Sequence, residues 1–410
     1  MMIPPETRER VLTKVQETVQ AGYYAPDFHG KHWYEIVASH RPAIFDATTT
    51  EDFEREMNTM LVDLDSNMRL LGPNSKITAR NAINASFHPV DVPNEGTRWV
   101  FQDIAPGGVA QRSGVLPADV LLTMNGALVS PPERPAFEMD RAARVEVLRG
   151  NERKQIDLDL KTPAPKYKDN PYSEPTSVTG TMTPDRIAIV KVSLFPGRIG
   201  IDFANALSQL FRDRLAGAEG LVLDLRGNPG GGIGNLRLMS LFTPRRQPVG
   251  YSLDRATAES GTPKERLPRL AKLPSKRWEL IPLAIKFGSK KSVVLETEGL
   301  GPQPFHGHIV TLVNEHTTGA AEMVTLFAKE NSLATIVGTK TPGRLISRTG
   351  TKVGAGYQLV FPVAAYQSWN GTRIEGRGIE PDIRVAWSFE DAQRGEDTQL
   401  DRALEVLRGK

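Results

Sequence analysis

Cysteine is absent from this chain of 410 residues. That removes disulfides, thiolate nucleophiles and cysteine-ligated metals, and is compatible with any redox compartment. Long apolar runs are also missing: no window holds 18 apolar residues, so no membrane span is expected. The opening MMIPPETRERVLTKVQETVQ lacks an apolar signal-peptide core. The chain as given is expected to be cytoplasmic unless a leader has been trimmed. Charge of one sign is scarce. Lys+Arg is 51 against Asp+Glu 48, a net +3. No basic block exceeds a few residues, so nucleic acid is not an expected partner. What remains is ordinary globular composition, 39% hydrophobic and 24% charged, over a length that suggests two or three domains.

Along the chain, residues 1–95 are expected to be a helical region. Val11, Leu12, Val15 and Val19 keep helical spacing until Pro26. Thr48-Thr-Thr50 before Glu51 is an N-cap signal, followed by a stripe of Phe53, Met57, Met60, Leu61 and Leu64. Residues 96–162 change character: short alternating strands (Trp99–Ile104, Val120–Met124, Val145–Leu148, Ile156–Leu160) punctuated by Pro106-Gly-Gly108 and Asn125-Gly126 predict a small β-rich domain. Residues 163–185, rich in Pro, Ser and Thr, are expected to be a linker. From 186 to 410, strands at Ile187, Leu221, Ile309, Thr335 and Tyr357 alternate with helical stripes. That pattern predicts an α/β core with a mostly parallel sheet. Residues 244–292, with many Pro, Lys and Arg, break the rhythm like an insertion or lid.

Two segments carry chemistry. Asp224-Leu-Arg-Gly-Asn-Pro-Gly-Gly-Gly232 runs from an apolar strand into a glycine turn and then a helix near Asn235. Such a turn can aim N–H groups at a phosphate or a developing oxyanion. It lacks the P-loop and dinucleotide signatures, and a plain tight turn is the alternative. In Val313-Asn-Glu-His-Thr-Thr-Gly-Ala-Ala-Glu322 a strand ends and a helix begins, with Thr317 or Thr318 as candidate N-cap. A group at that junction sits at the positive end of a helix dipole. Asp224 and Arg226 are expected to pair inside the fold, and Glu322 to belong to the helix start. His29, His32, His40, His88, His306 and His308 show no metal-binding H-E-x-x-H spacing; His306-Gly-His308 is a weak signal, and no metal or cofactor is expected.

Together these stretches resemble the carboxyl-terminal processing peptidases (tail-specific proteases) and their tricorn-like relatives. The Asp224–Gly231 run, Thr317–Glu322, Val337-Gly-Thr-Lys-Thr-Pro-Gly-Arg344 and Glu375-Gly-Arg-Gly-Ile-Glu-Pro-Asp382 carry the likeness. Ala110 to Gly126 follows the family's PDZ pattern, with Ala118 in place of a usual glycine. The resemblance implies a ClpP/crotonase-like α/β peptidase core, a PDZ-like domain and an oxyanion hole at Gly230, Gly231 and Ala320. It also implies a peptide groove beside the strand of Trp99, Val100 and Phe101.

The departures bear on activity. The family's nucleophilic serine falls on Gly319, which has no side chain to attack with. The lysine base of one branch falls on Arg344, whose guanidinium holds its proton. The Ser-His pair of the other branch falls on Asn67 and Met68, within a residue or two. Only the tetrad glutamate is matched, at Glu375. His316 is a candidate substitute acid or base. Three readings follow. One is a pseudopeptidase that binds a peptide or small molecule in the old cleft, as retinoid-binding relatives do. Another is a cleft recruited for serine-independent cyclisation or isomerisation. The third is a serine endopeptidase in which Gly319 is an inactivating substitution. A Gly319→Ser variant is expected to fold without regaining proteolysis. A homodimer is compatible with the helical N-terminus.

Overall fold

The computed structural model describes residues 2–73, 78–79, 82–138, 141–160, 174–197, 199–274, 276–279, 291–301, 305 and 307–409. Its centre is a parallel sheet. Strands Ile187–Val192, Gly220–Asp224, His308–Val313, Thr335–Gly338 and Ile383–Arg384 lie side by side in that order. Gly220–Asp224 is buried along its whole length, as expected of an apolar strand covered on both faces. Helices Ile201–Asp213 and Ala320–Glu330 cross over between strands on one side. The first buries the stripe Phe203, Ala204, Leu207 and Phe211. On the other face, helix Thr398–Leu407 packs Ala403 against Val222, Val310 and Val337. Val178–Met182 adds an antiparallel edge strand. The linker expected over 163–185 therefore ends before Val178; residues 161–173 lie outside the described residues.

A second sheet runs Arg69–Leu71, Tyr357–Ser368, Pro248–Asp254, Val293–Glu296 and Arg269–Leu270, with Ile346–Gly354 also paired to Tyr357–Ser368. Here the structure corrects the expected lid. Pro248–Asp254 hydrogen-bonds on one side to Tyr357–Ser368 and on the other to Val293–Glu296. It is an interior strand, not an appendage; residues 275 and 280–290 lie outside the described residues.

Helices Pro5–Gly22, Trp33–Asp46 and Thr50–Leu64 cover this sheet. Their buried Val11, Leu12, Val15, Val19, Phe53, Met57 and Leu61 form one core with Val353, Tyr357, Leu359 and Phe361. Thr49 caps the third helix, its hydroxyl accepting the Asp52 N–H at 3.1 Å. The β module begins at Ala85, before the expected boundary at 96. Its strands run Ala85–Val92, Gly96–Ile104, Val120–Met124, Ala142–Arg149 and Glu152–Asp159 in spatial order. No helix among the described residues is long and apolar enough to cross a membrane.

Candidate functional site

The glycine turn after Asp224 is anchored from below. Arg226 is buried and binds both Asp224 oxygens (2.9–3.0 Å), both Asp397 oxygens (2.7 Å) and Gln399 (3.1 Å). Lys191 lies 3.2 Å from Asp224. Burial pushes the Asp224 carboxyl up, and the two cations outweigh it, holding the group below the usual carboxylate range. The expected internal pair is thus part of a larger network that ties the turn to the C-terminal helix.

Above it, Asn228 fixes the turn. Its side chain donates to the Val192 carbonyl and accepts the Gly230 N–H, both at 2.8 Å, and its carbonyl accepts the Thr318 N–H at 2.9 Å. The turn and the Thr317–Ala320 segment therefore meet. A β carbon on Gly230 would fall 2.8 Å from the Thr318 oxygen and 3.0 Å from the Ala320 nitrogen, so only glycine permits this approach. Gly230 and Gly231, with φ of 88° and 130°, take backbone shapes that side chains disfavour. Among the described residues, the Gly231 and Ala320 N–H groups have no hydrogen-bond acceptor. The Gly319 N–H is turned inward to Glu322 (3.1 Å).

Neither threonine caps the helix. Thr317 is buried, its hydroxyl donating to the Leu225 carbonyl and accepting the Asn314 N–H, each at 2.9 Å. The N-cap is Gly319, at φ 59° and ψ −120°. Glu322 supplies the missing acceptor. Fully buried, it takes four donors: the N–H groups of Gly319, Arg344 (2.8 Å) and Gly343 (2.7 Å), and the Thr341 hydroxyl (2.7 Å). A spacing-based reading finds its place on the helix but not this bridge to residues 341–344. A β carbon built on Gly319 meets nothing closer than Gly230 Cα at 3.6 Å and the Arg344 and Pro229 oxygens at 3.8 Å. A β carbon there would make ordinary van der Waals contacts without a clash.

Glu375 is half-buried beside this wall. It accepts the Leu345 N–H at 2.6 Å and the Asn67 amide at 3.1 Å, a contact spanning 308 residues of sequence. Asn67 also donates to Asp65, which accepts the Tyr23 hydroxyl. Burial raises the Glu375 carboxyl above its ordinary range against those two donors, and Asp65 and Glu322 add to the rise. Met68 is buried in the helical core. Arg344 approaches Gly319 through its backbone; its side chain is exposed.

His316 sits in the same loop, with Nε2 3.9 Å from Glu315 Oε1 and no hydrogen-bond partner among the described residues. Glu315 instead holds His88 of the β module (2.9 Å) and Thr339 (2.7 Å). Burial pushes the Glu315 carboxyl up; those hydrogen bonds prevail and hold it at about 2. No cluster of three or more His, Asp or Glu among the described residues is placed to hold a metal; His306 lies outside them.

The groove expected along Trp99, Val100 and Phe101 is not available. All three are buried, at 7%, 0% and 0% exposure. Their strand is paired on both edges, to Ala85–Val92 and to Val120–Met124. A strand without a free edge cannot take a peptide by strand addition. Ala85–Val92 terminates the sheet.

Residues 186–385 match the sequence model of peptidase family S41. The chain is 23% identical over 421 aligned positions to a carboxyl-terminal-processing protease of Synechocystis, covering 98% of this chain and 87% of that protein. It is 24% identical over 310 positions to the carboxy-terminal processing protease CtpA of Bacillus subtilis, covering 74% of this chain and 57% of that one. Among solved structures, the photosystem II D1 C-terminal processing protease is similar with a TM-score of 0.58 at 18% identity, over 98% of this chain and 97% of the other. Mature CPAF complexed with lactacystin gives 0.59 at 13%, over 99% of both. These structural likenesses establish the fold. The chain thus carries a peptidase family S41 domain and is a homologue of the carboxyl-terminal processing proteases.

Proposed function

We propose that this homologue is non-proteolytic and binds a peptide, or a small molecule with a peptide-like carbonyl, between the Gly230-Gly231 turn and the helix start at Ala320. The observation that carries the reading is the approach of the Gly230-Gly231 turn to the Gly319-Ala320 helix start, where among the described residues the Gly231 and Ala320 N–H groups have no acceptor. Such donors favour a carbonyl or carboxylate oxygen. Nothing at position 319 can attack it. At the other family positions Arg344 cannot accept a proton, and Met68 is a buried thioether. We read the β module as PDZ-like, with Ala85–Val92 as the strand that accepts a peptide.

The raised Glu375 carboxyl favours a second reading, acid–base chemistry on a small molecule that needs no serine. For the binding reading, the test is a fluorescent carboxyl-terminal peptide library titrated against the wild-type protein and Ala320→Pro. Proline is tolerated at the first helical position and lacks the N–H. Binding by the wild type, weakened about tenfold or more in the variant as expected for a lost hydrogen bond to a polar ligand, supports the cleft assignment. Equal binding by both overturns it.

A further inference from the structure

Three separate segments build the cleft's surroundings: the glycine turn, the loop leading to Gly319, and the β module. One side chain touches all three. Asn314 is fully buried. Its Oδ1 accepts the Gly227 N–H at 3.0 Å, at the start of the glycine turn. The same atom accepts the His316 N–H at 3.1 Å, in the loop leading to Gly319. Its Nδ2 donates to Asp103 of the β module at 2.8 Å. Its own N–H goes to Thr317. Asp103 is held in turn by Ser86, whose hydroxyl donates to the same Oδ2 and accepts the Asp103 N–H. The fit is close: a β carbon on Gly227 would fall 2.6 Å from Asp103 Cβ.

We infer that Asn314 is the positioning residue of the cleft, and that Asp103 sets its amide. Asn314 joins the turn that carries Gly231 and the loop that leads to Ala320 to the β module, beside the Asn228–Thr318 and Thr317–Leu225 bonds that link turn and loop directly. With Nδ2 bonded to Asp103, Oδ1 faces the two backbone donors. Without Asp103, a buried amide has a donor with no acceptor and nothing to hold its orientation. Both walls then loosen together, although Asp103 touches no ligand. The inference rests on the cleft assignment above, but its consequences are read from the loops themselves.

The test is hydrogen–deuterium exchange on the full chain, following peptides that cover 226–232 and 314–320. Asn314→Asp keeps the acceptor for Gly227 and His316 but sets a carboxylate against Asp103. Exchange in both segments should rise about tenfold or more, the range for losing a buried hydrogen bond to a charged partner. Asp103→Ala should do the same. The swap Asp103→Asn/Asn314→Asp restores the bond with donor and acceptor exchanged, and Ser86 can accept where it now donates. Exchange in both segments should return to within about threefold of wild type. A swap that rescues only the β module, or an Asn314→Asp variant with unchanged exchange in the two segments, overturns the inference. If Asn314→Asp alone fails to fold, the swap and Asp103→Ala still decide it. Because no ligand is used, failure here leaves the peptide-binding test independent.

Discussion

Placing a serine at Gly319 separates two properties that an ordinary protease site joins. The residue adopts φ 59° and ψ −120°, a region side chains populate only under strain. Holding a non-glycine residue there costs about 1–3 kcal/mol. Steric overlap adds little, because the nearest atom to the new β carbon is 3.6 Å away. Gly319→Ser and Gly319→Ala should therefore lose stability equally, by about that amount, in urea unfolding. The expected folding of the serine variant therefore comes at a strain cost. Proteolysis should not appear. A serine hydroxyl needs a neighbouring base, and Arg344 cannot serve as one. Glu375 is bonded to the Leu345 N–H, whereas the carbonyl oxygen of that same peptide unit, Arg344 O, lies toward Gly319. The trans peptide therefore stands between the carboxylate and the new hydroxyl. The assay is casein or tagged-peptide cleavage by purified Gly319→Ser, with Gly319→Ser/Arg344→Lys beside it. Robust cleavage by the single variant would refute the reasoning, because a competent base would have been present throughout. An unstrained Gly319→Ala would refute the conformational part.

Other consequences can be checked separately. Arg226→Ala removes the bidentate partner of the buried Asp224 and frees Asp397, the N-cap of helix Thr398–Leu407, from the glycine turn, and should cost about 3–5 kcal/mol in urea unfolding. Glu315, held at about 2, stabilises the fold fully above the ordinary glutamate range of about 4.3. That contribution fades as pH falls toward 2, so His88→Ala should flatten acid unfolding in this range. Glu375 has the opposite sign. Its carboxyl is raised in the fold, so its ionisation on raising the pH above the usual glutamate range opposes folding. Glu375→Gln should narrow the stability difference between pH 4 and pH 8, measured by thermal melts. Phe101→Ala should cost about 3–5 kcal/mol and unfold the β module, where a surface groove residue would have cost little.

The parallel sheet was legible because its apolar strands and helical stripes are local patterns. The stripe of Phe53, Met57, Met60, Leu61 and Leu64 is buried as its spacing implies. Pro248–Asp254 was not legible, since one of its two partner strands, Tyr357–Ser368, lies more than a hundred residues away and its flanks are polar. The groove beside Trp99–Phe101 came from the PDZ resemblance, because a local apolar pattern marks a strand without revealing whether its edges are free. The bridge from Asn67 to Glu375 and the four donors on Glu322 arise from chain crossings that residue spacing does not encode. The glycine run was readable for a different reason: the approach of Gly230 to Ala320 can be made only without a side chain.

The most direct measurement is a fluorescence-polarisation time course with a labelled carboxyl-terminal peptide and a molar excess of the wild-type protein. Binding without cleavage predicts a rise that saturates and then holds for hours. A rise that decays below the starting value as small labelled fragments are released would contradict the account, and so would no rise at high micromolar protein.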